Sequence, residues 1–192
     1  MVSFGLTGDE ARHAPEPFAE AFAIARDAGL IPAAHAGELA GPASVRAALD
    51  VLGARRIARG VRAIEDPPLL ARLAAEGIVL DVCPTSNVAL GVVAPLSAHP
   101  LPQLLQAGIR CTLNADDPLV FGPGLLQEYE TARTALSLND TQLAAVARTS
   151  LEASGAPRTT MEDAVTRIDA WLDIPDQAAT PPDPRGTPAA RS

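Results

Sequence analysis

The sequence predicts an α/β protein built on a parallel sheet. Three observations carry that expectation. Short apolar runs of strand type alternate with single helical patterns as far as Leu113, and strands separated by single helices pair in parallel through right-handed crossovers. Gly29, Gly53, Gly77 and Gly108 each stand where a helical pattern stops. Polar residues able to do chemistry collect where the strand patterns end, as on the active rim of a (β/α) barrel.

Taken in order, Met1–Leu6 reads as a strand and Gly8-Asp9-Glu10 as its rim loop. The chain thus starts inside an element, which suggests that structure upstream is missing. Pro17 opens a helix to about Ala28, with Phe18, Ala21, Phe22 and Ala25 on one face. The strand Ile31–His35 runs into His35-Ala36-Gly37-Glu38, and Pro42 opens a helix to about Leu52. Arg56–Val61 is a short strand and turn, and Asp66-Pro67 a helix start leading to about Glu76. Ile78–Cys83 is a buried strand closed by Pro84, after which Thr85-Ser86-Asn87 reads as a polar loop. A helix from Pro100 or Leu101 to about Ala107 and the strand Ile109–Leu113 complete five strands, closed by Asn114-Ala115-Asp116-Asp117-Pro118. Helices follow over about Leu125–Leu136, Thr141–Ser154 with Asp140 as cap, and Met161–Trp171. The domain therefore spans 1–173. Residues 174–192, dominated by Pro, Asp, Ala and Arg without period, read as a disordered tail.

The formal net charge of −8 argues against nucleic acid or an anionic membrane as main partner. Every basic side chain other than His is Arg, so lysine chemistry such as a Schiff base is excluded. Cys83 and Cys111 border apolar runs, as reduced, buried thiols of a cytosolic protein do. Neither a signal peptide nor a long apolar segment is present, so the chain reads as cytoplasmic.

Among the rim residues, His35 offers a neutral nitrogen to a metal, and Glu38, three residues on, can give or take a proton beside it. Asp116 supplies a carboxylate from a distant strand end. Two ligands are too few for a catalytic zinc, which takes three or more protein groups and water. Other polar residues have plainer readings: Cys83 as core, Ser86 and Asn87 as loop caps, Glu128, Glu130 and Arg133 as a solvated helix face, His13 as a solvated loop residue, and His99 with no role.

His35-Ala36-Gly37-Glu38, the run Arg59–Leu70, Cys83-Pro84-Thr85-Ser86-Asn87 and Leu113–Pro118 occur in this order and at similar spacing in adenosine deaminases, zinc-dependent hydrolases on a TIM barrel, and the chain resembles that family from Val2 to about Trp171. The resemblance implies a partial TIM (β/α)8 barrel, strands 4–8 with their helices. It implies His35 and Asp116 as zinc ligands, Glu38 as the group that protonates the purine ring while hydroxide attacks C6, and Gly8 and Asp117 as substrate contacts. Two departures accompany it. The family's first strand carries a His-x-His ligand pair that nothing here matches, and its catalytic His, in a Gly-His-Gly pattern, is replaced by Arg59 in Ala58-Arg59-Gly60. Arginine stays cationic at neutral pH and cannot serve as a base. The implied function is hydrolytic deamination of a 6-aminopurine nucleoside, adenosine to inosine, impaired in this chain alone. The alternative is a catalytically inactive truncated remnant or pseudoenzyme that acts, if at all, as a binding protein. An open five-stranded arc would also expose strand edges and an apolar barrel interior, and so self-associate.

Overall fold

A computed structural model describes residues 1–174. Five strands, β1 (Ser3–Leu6), β2 (Ile31–Ala36), β3 (Arg56–Arg59), β4 (Val79–Val82) and β5 (Arg110–Leu113), form one parallel sheet in chain order. The strands are joined by α1 (Ala19–Asp27), α2 (Pro42–Leu52), α3 (Pro67–Glu76), and then α4 (Pro84–Ala89) with α5 (Leu101–Gln106). After β5 come α6 (Pro118–Phe121), α7 (Leu125–Thr134), α8 (Asp140–Glu152) and α9 (Arg158–Leu172). Among the described residues no helix is long and apolar enough to cross a membrane. The tail expected over 174–192 lies, beyond Ile174, outside the described residues.

Strand register sorts the side chains into two faces. Leu6, Ala34, Ile57, Leu80 and Cys111 are in register across all five strands and belong to the core beneath the helices. Against them α2 buries Val45, Ala48, Leu49 and Leu52, one helical stripe, and α3 buries Leu69 and Leu73. Each such Val or Leu side chain contributes about 1.5–3 kcal/mol on burial. Alternation then sends the intervening residues to the opposite face. There His35, Ala58, Asp81 and Thr112 form one register row.

That second face differs from the expected apolar interior. Arg56 grips Asp81 with two hydrogen bonds, Nη2–Oδ1 at 2.6 Å and Nε–Oδ2 at 3.1 Å, while Thr112 Oγ1 donates to Asp81 Oδ1 at 2.8 Å. Arg56 Nη1 also donates to the carbonyl of Ala153, just past α8, at 2.8 Å. The sheet's inner face is therefore a satisfied polar layer, with α8 packed along β5.

Local structure corrects four further expectations. Thr85-Ser86-Asn87 lies inside α4, because Pro84 takes the first helical position and the Asn87 N–H reaches the Cys83 carbonyl. The cap of α8 is Asn139, whose side chain accepts from Gln142 N–H; Asp140 instead pairs with Arg133. Pro118, the end of the expected Asp-Asp-Pro closure, instead opens a helical turn, Pro118–Phe121, with Asp117 as its cap. Glu128 is 1% exposed, since α7 faces α4 and its carboxylate accepts the Thr85 N–H at 3.3 Å. Arg133 is half-buried rather than solvated, lying over the Trp171 ring, while Glu130 is exposed.

Candidate active site

The rim brings together His35, Glu38, Arg59 and Asp116. His35 is the penultimate residue of β2 and is half-buried. Its Nδ1 lies 3.4 Å from the Leu6 carbonyl oxygen; a carbonyl only accepts, so Nδ1 carries the proton and Nε2 keeps a lone pair. Burial, reinforced by the Arg59 charge, holds the imidazole below its ordinary pKa, so it is neutral at pH 7.

The loop after β2 is fixed by a residue that sequence reading left unassigned. The Glu10 carboxylate accepts the backbone N–H groups of Gly37, Glu38, Leu39 and Ala40 at 2.7, 2.6, 2.6 and 3.1 Å, and the Ser44 hydroxyl at 2.5 Å. One carboxylate thus satisfies the whole turn between β2 and α2. Gly37 takes φ +71° and abuts Gly60, so that a Cβ at Gly37 would stand 3.2 Å from the Gly60 Cα and 2.5 Å from Val45 Cγ2. The close approach of these two loops is what draws Glu38 and Arg59 together.

Glu38 is 7% exposed. Burial raises its carboxyl above the usual range, while Arg59 and a hydrogen bond from Asn87 pull it back. Asn87 Nδ2 donates to Glu38 Oε1 at 2.6 Å, and Asn87 Oδ1 faces His99 Nε2 at 3.1 Å. On the far side Ser86 Oγ donates to Asp116 Oδ2 at 2.6 Å. Ser86 and Asn87, 1% and 0% exposed, are thus site-supporting residues, not loop caps. A polar pair inside a short Pro-initiated helix at a strand end was the available signal.

Arg59 occupies the centre. It leaves β3 at φ +77°, and this left-handed turn aims its guanidinium across the rim. Nη2 pairs with Asp116 Oδ1, Nη1 donates to Cys83 Sγ at 3.3 Å, and Nε stands 3.4 Å from Glu38 Oε1 without an aligned hydrogen bond. The arginine is a cation set between two carboxylates. Cys83 stays a core thiol, pushed up to about 12 by burial. Gly8 and His35 border a cleft of about 310 Å³ between the β1–β2 rim and α2. The Asp117 side chain turns to α6 instead of the Glu38–Arg59–Asp116 group, capping that helix by accepting from Leu119 N–H at 3.0 Å.

These donors do not complete a metal site. Among the described residues no group of three or more His, Cys, Asp or Glu is arranged to hold a metal ion. His35 and Asp116 make two, and Asp116 already serves Arg59 and Ser86.

The family model described as adenosine deaminase matches residues 1–171. The chain belongs to the adenosine deaminase family. It corresponds to the C-terminal portion of that family's barrel, and its five parallel strands with their helices are a partial TIM barrel. It is 49% identical over 162 residues to an adenine deaminase of Sinorhizobium fredii, covering 84% of this chain and 50% of that protein. The crystal structure of an adenine deaminase from Arthrobacter aurescens superposes with a TM-score of 0.86 at 34% identity, covering 90% of this chain and 53% of the other. An amidohydrolase structure from Burkholderia ambifaria with bound Zn follows at 0.81 and 25%, covering 90% and 50%. The chain spans about half the length of the relatives it matches.

Proposed function

We propose that this adenosine deaminase family chain is one half of an enzyme that hydrolytically deaminates a 6-aminopurine, with Glu38 as the proton carrier. The observation that supports this best is the state of Glu38: buried, raised above the usual carboxylate range, anchored at its backbone by Glu10 and at one oxygen by Asn87, and set beside the strand end bearing His35. In the reaction, the water oxygen bonds to C6 of the purine while the Glu38 carboxyl passes its proton to a ring nitrogen and one water proton passes to the 6-amino group. The C6–N bond then breaks, ammonia leaves, and the remaining hydroxyl proton returns to the Glu38 carboxylate as the C6 carbonyl forms. Gly8 and Asp117 are the proposed contacts to the base. The names of the relatives favour adenine or adenosine as substrate.

The metal of such an enzyme would be zinc, as in the Zn-bound neighbour, with His35 and Asp116 as two of its ligands. The described residues hold no full donor set, so the remaining ligands would have to come from outside them, as would release of Asp116 from Arg59. For the chain alone a second reading, a non-catalytic remnant, is favoured by that same ion pair.

The deciding experiment is co-expression with a polypeptide carrying the half-barrel that precedes the matched region in the Sinorhizobium fredii relative. Ammonia release from adenine, adenosine and AMP is then measured with and without that partner. Turnover only with the partner is expected. No turnover in either state, with both halves folded and associated, would leave the remnant reading standing.

A further inference from the structure

We propose that His99 is a positioning residue for Glu38: through the Asn87 carboxamide it fixes one oxygen of the Glu38 carboxyl as a hydrogen-bond acceptor and leaves the other to carry the transferable proton. The proposal rests on the reading of Glu38 as proton carrier, while its geometry stands without it.

His99 is 1% exposed, in the segment just before α5, and both its nitrogens are engaged. Nδ1 accepts the Leu101 N–H at 3.1 Å, and a nitrogen that accepts is unprotonated. The single ring proton of the neutral imidazole therefore sits on Nε2 and points at Asn87 Oδ1, 3.1 Å away. Burial lowers the imidazole to about 4, so this tautomer persists across the neutral range.

Asn87 is fully buried, and the oxygen and nitrogen of its amide have nearly the same shape. Shape therefore cannot choose its orientation; the partners must. With Oδ1 on His99, the amide nitrogen faces Glu38 Oε1 at 2.6 Å. The flipped amide would set N–H against N–H at His99 and oxygen against oxygen at Glu38. The His99 proton excludes that state. Oε1, already accepting from Asn87 and 3.4 Å from Arg59 Nε, is a poor seat for a proton. A protonated Glu38 then carries its hydrogen on Oε2. The chain Leu101–His99–Asn87–Glu38 converts the start of α5 into the orientation of one carboxyl group.

The test uses the full chain labelled with 15N. The expected spectrum has His99 Nε2 protonated and Nδ1 bare from pH 6 upward, and an Asn87 side-chain amide pair protected from exchange. In His99→Phe, which keeps a ring but no donor, that pair should exchange at least about tenfold faster. In His99→Gln, whose amide N–H reaches the Nε2 position, protection should return. In the complemented enzyme His99→Phe should lower kcat by about 10- to 100-fold with KM nearly unchanged, and His99→Gln should recover most of it. An Nδ1-protonated or cationic His99 at pH 7 overturns the proposal, whether or not the variants fold. So does a folded His99→Phe with unchanged Asn87 protection. A complemented wild type that converts no aminopurine, yet shows the expected tautomer and protection, sinks the deaminase reading and leaves the positioning chain standing.

Discussion

Arg59 holds φ +77°, a left-handed conformation that costs a non-glycine residue about 1–2 kcal/mol, and ion pairs with Asp116 and Glu38 offset it. The motif Ala58-Arg59-Gly60 was legible as a rim position. Its reach was not, because the direction of the side chain depends on a backbone angle that no local pattern announces. The arrangement yields a prediction for the complemented enzyme. Arg59→His replaces a fixed cation with a neutral base, and deamination should rise roughly 10²- to 10⁴-fold. Arg59 also restrains the Glu38 carboxyl from rising. An acid that acts while protonated loses activity as pH climbs through its pKa, so the alkaline limb of the kcat/KM profile should move to higher pH in the variant. Equal rates and profiles would remove Arg59 from the catalytic His position. His99 gives a second prediction. It titrates at about 4 when folded, against an ordinary 6.5. Between those values the unfolded chain binds the extra proton, so stability from this group is complete above pH 6.5 and falls as pH drops toward 4, by about 3 kcal/mol. Urea midpoints of wild type and His99→Gln across pH 4–7 should differ by that slope, and parallel curves would contradict it.

At the scale of elements, strands and long helices were readable because burial imposes periods of two and 3.6 on the sequence. The helix Pro42–Leu52 and the helix Pro67–Glu76 appear with the ends that Pro and Gly mark. The loop after β2 was readable as a site but not as a structure. Its anchor, Glu10, comes from 27 to 30 residues earlier. Likewise Asn87 meets Glu38 across 49 residues. Such contacts follow from tertiary packing, not from local pattern. Glu10→Gln would put an amide NH2 where only acceptors fit, facing backbone N–H groups that have no other partner. It should cost about 2–4 kcal/mol and speed amide exchange at Gly37–Ala40. Exchange confined to its wild-type rates would show that the turn holds itself.

For the whole molecule, two expectations follow from half a barrel. The chain alone should emerge from dialysis without stoichiometric zinc by elemental analysis, since no group of three or more donors is arranged to hold a metal among the described residues and Arg59 already holds Asp116. A tightly held zinc would demand a different ligand set. Among the described residues nothing pairs with the outer edge of β1, and Met1 and Val2 beside it are 98% and 51% exposed, so self-association through that edge should appear in light scattering as mass rising with concentration. A monomer at every concentration would contradict this. The polar inner layer has a temporal consequence as well. The hydrogen bond from Arg56 to the Ala153 carbonyl spans 97 residues. A chain leaving the ribosome presents β3 long before residue 153 exists outside the exit tunnel. Until then Arg56 has Asp81 but lacks its last acceptor, and the sheet's inner layer stays open to water. The last hydrogen bond of that layer therefore forms only once the end of α8 has docked against the sheet, 97 residues after Arg56 is made.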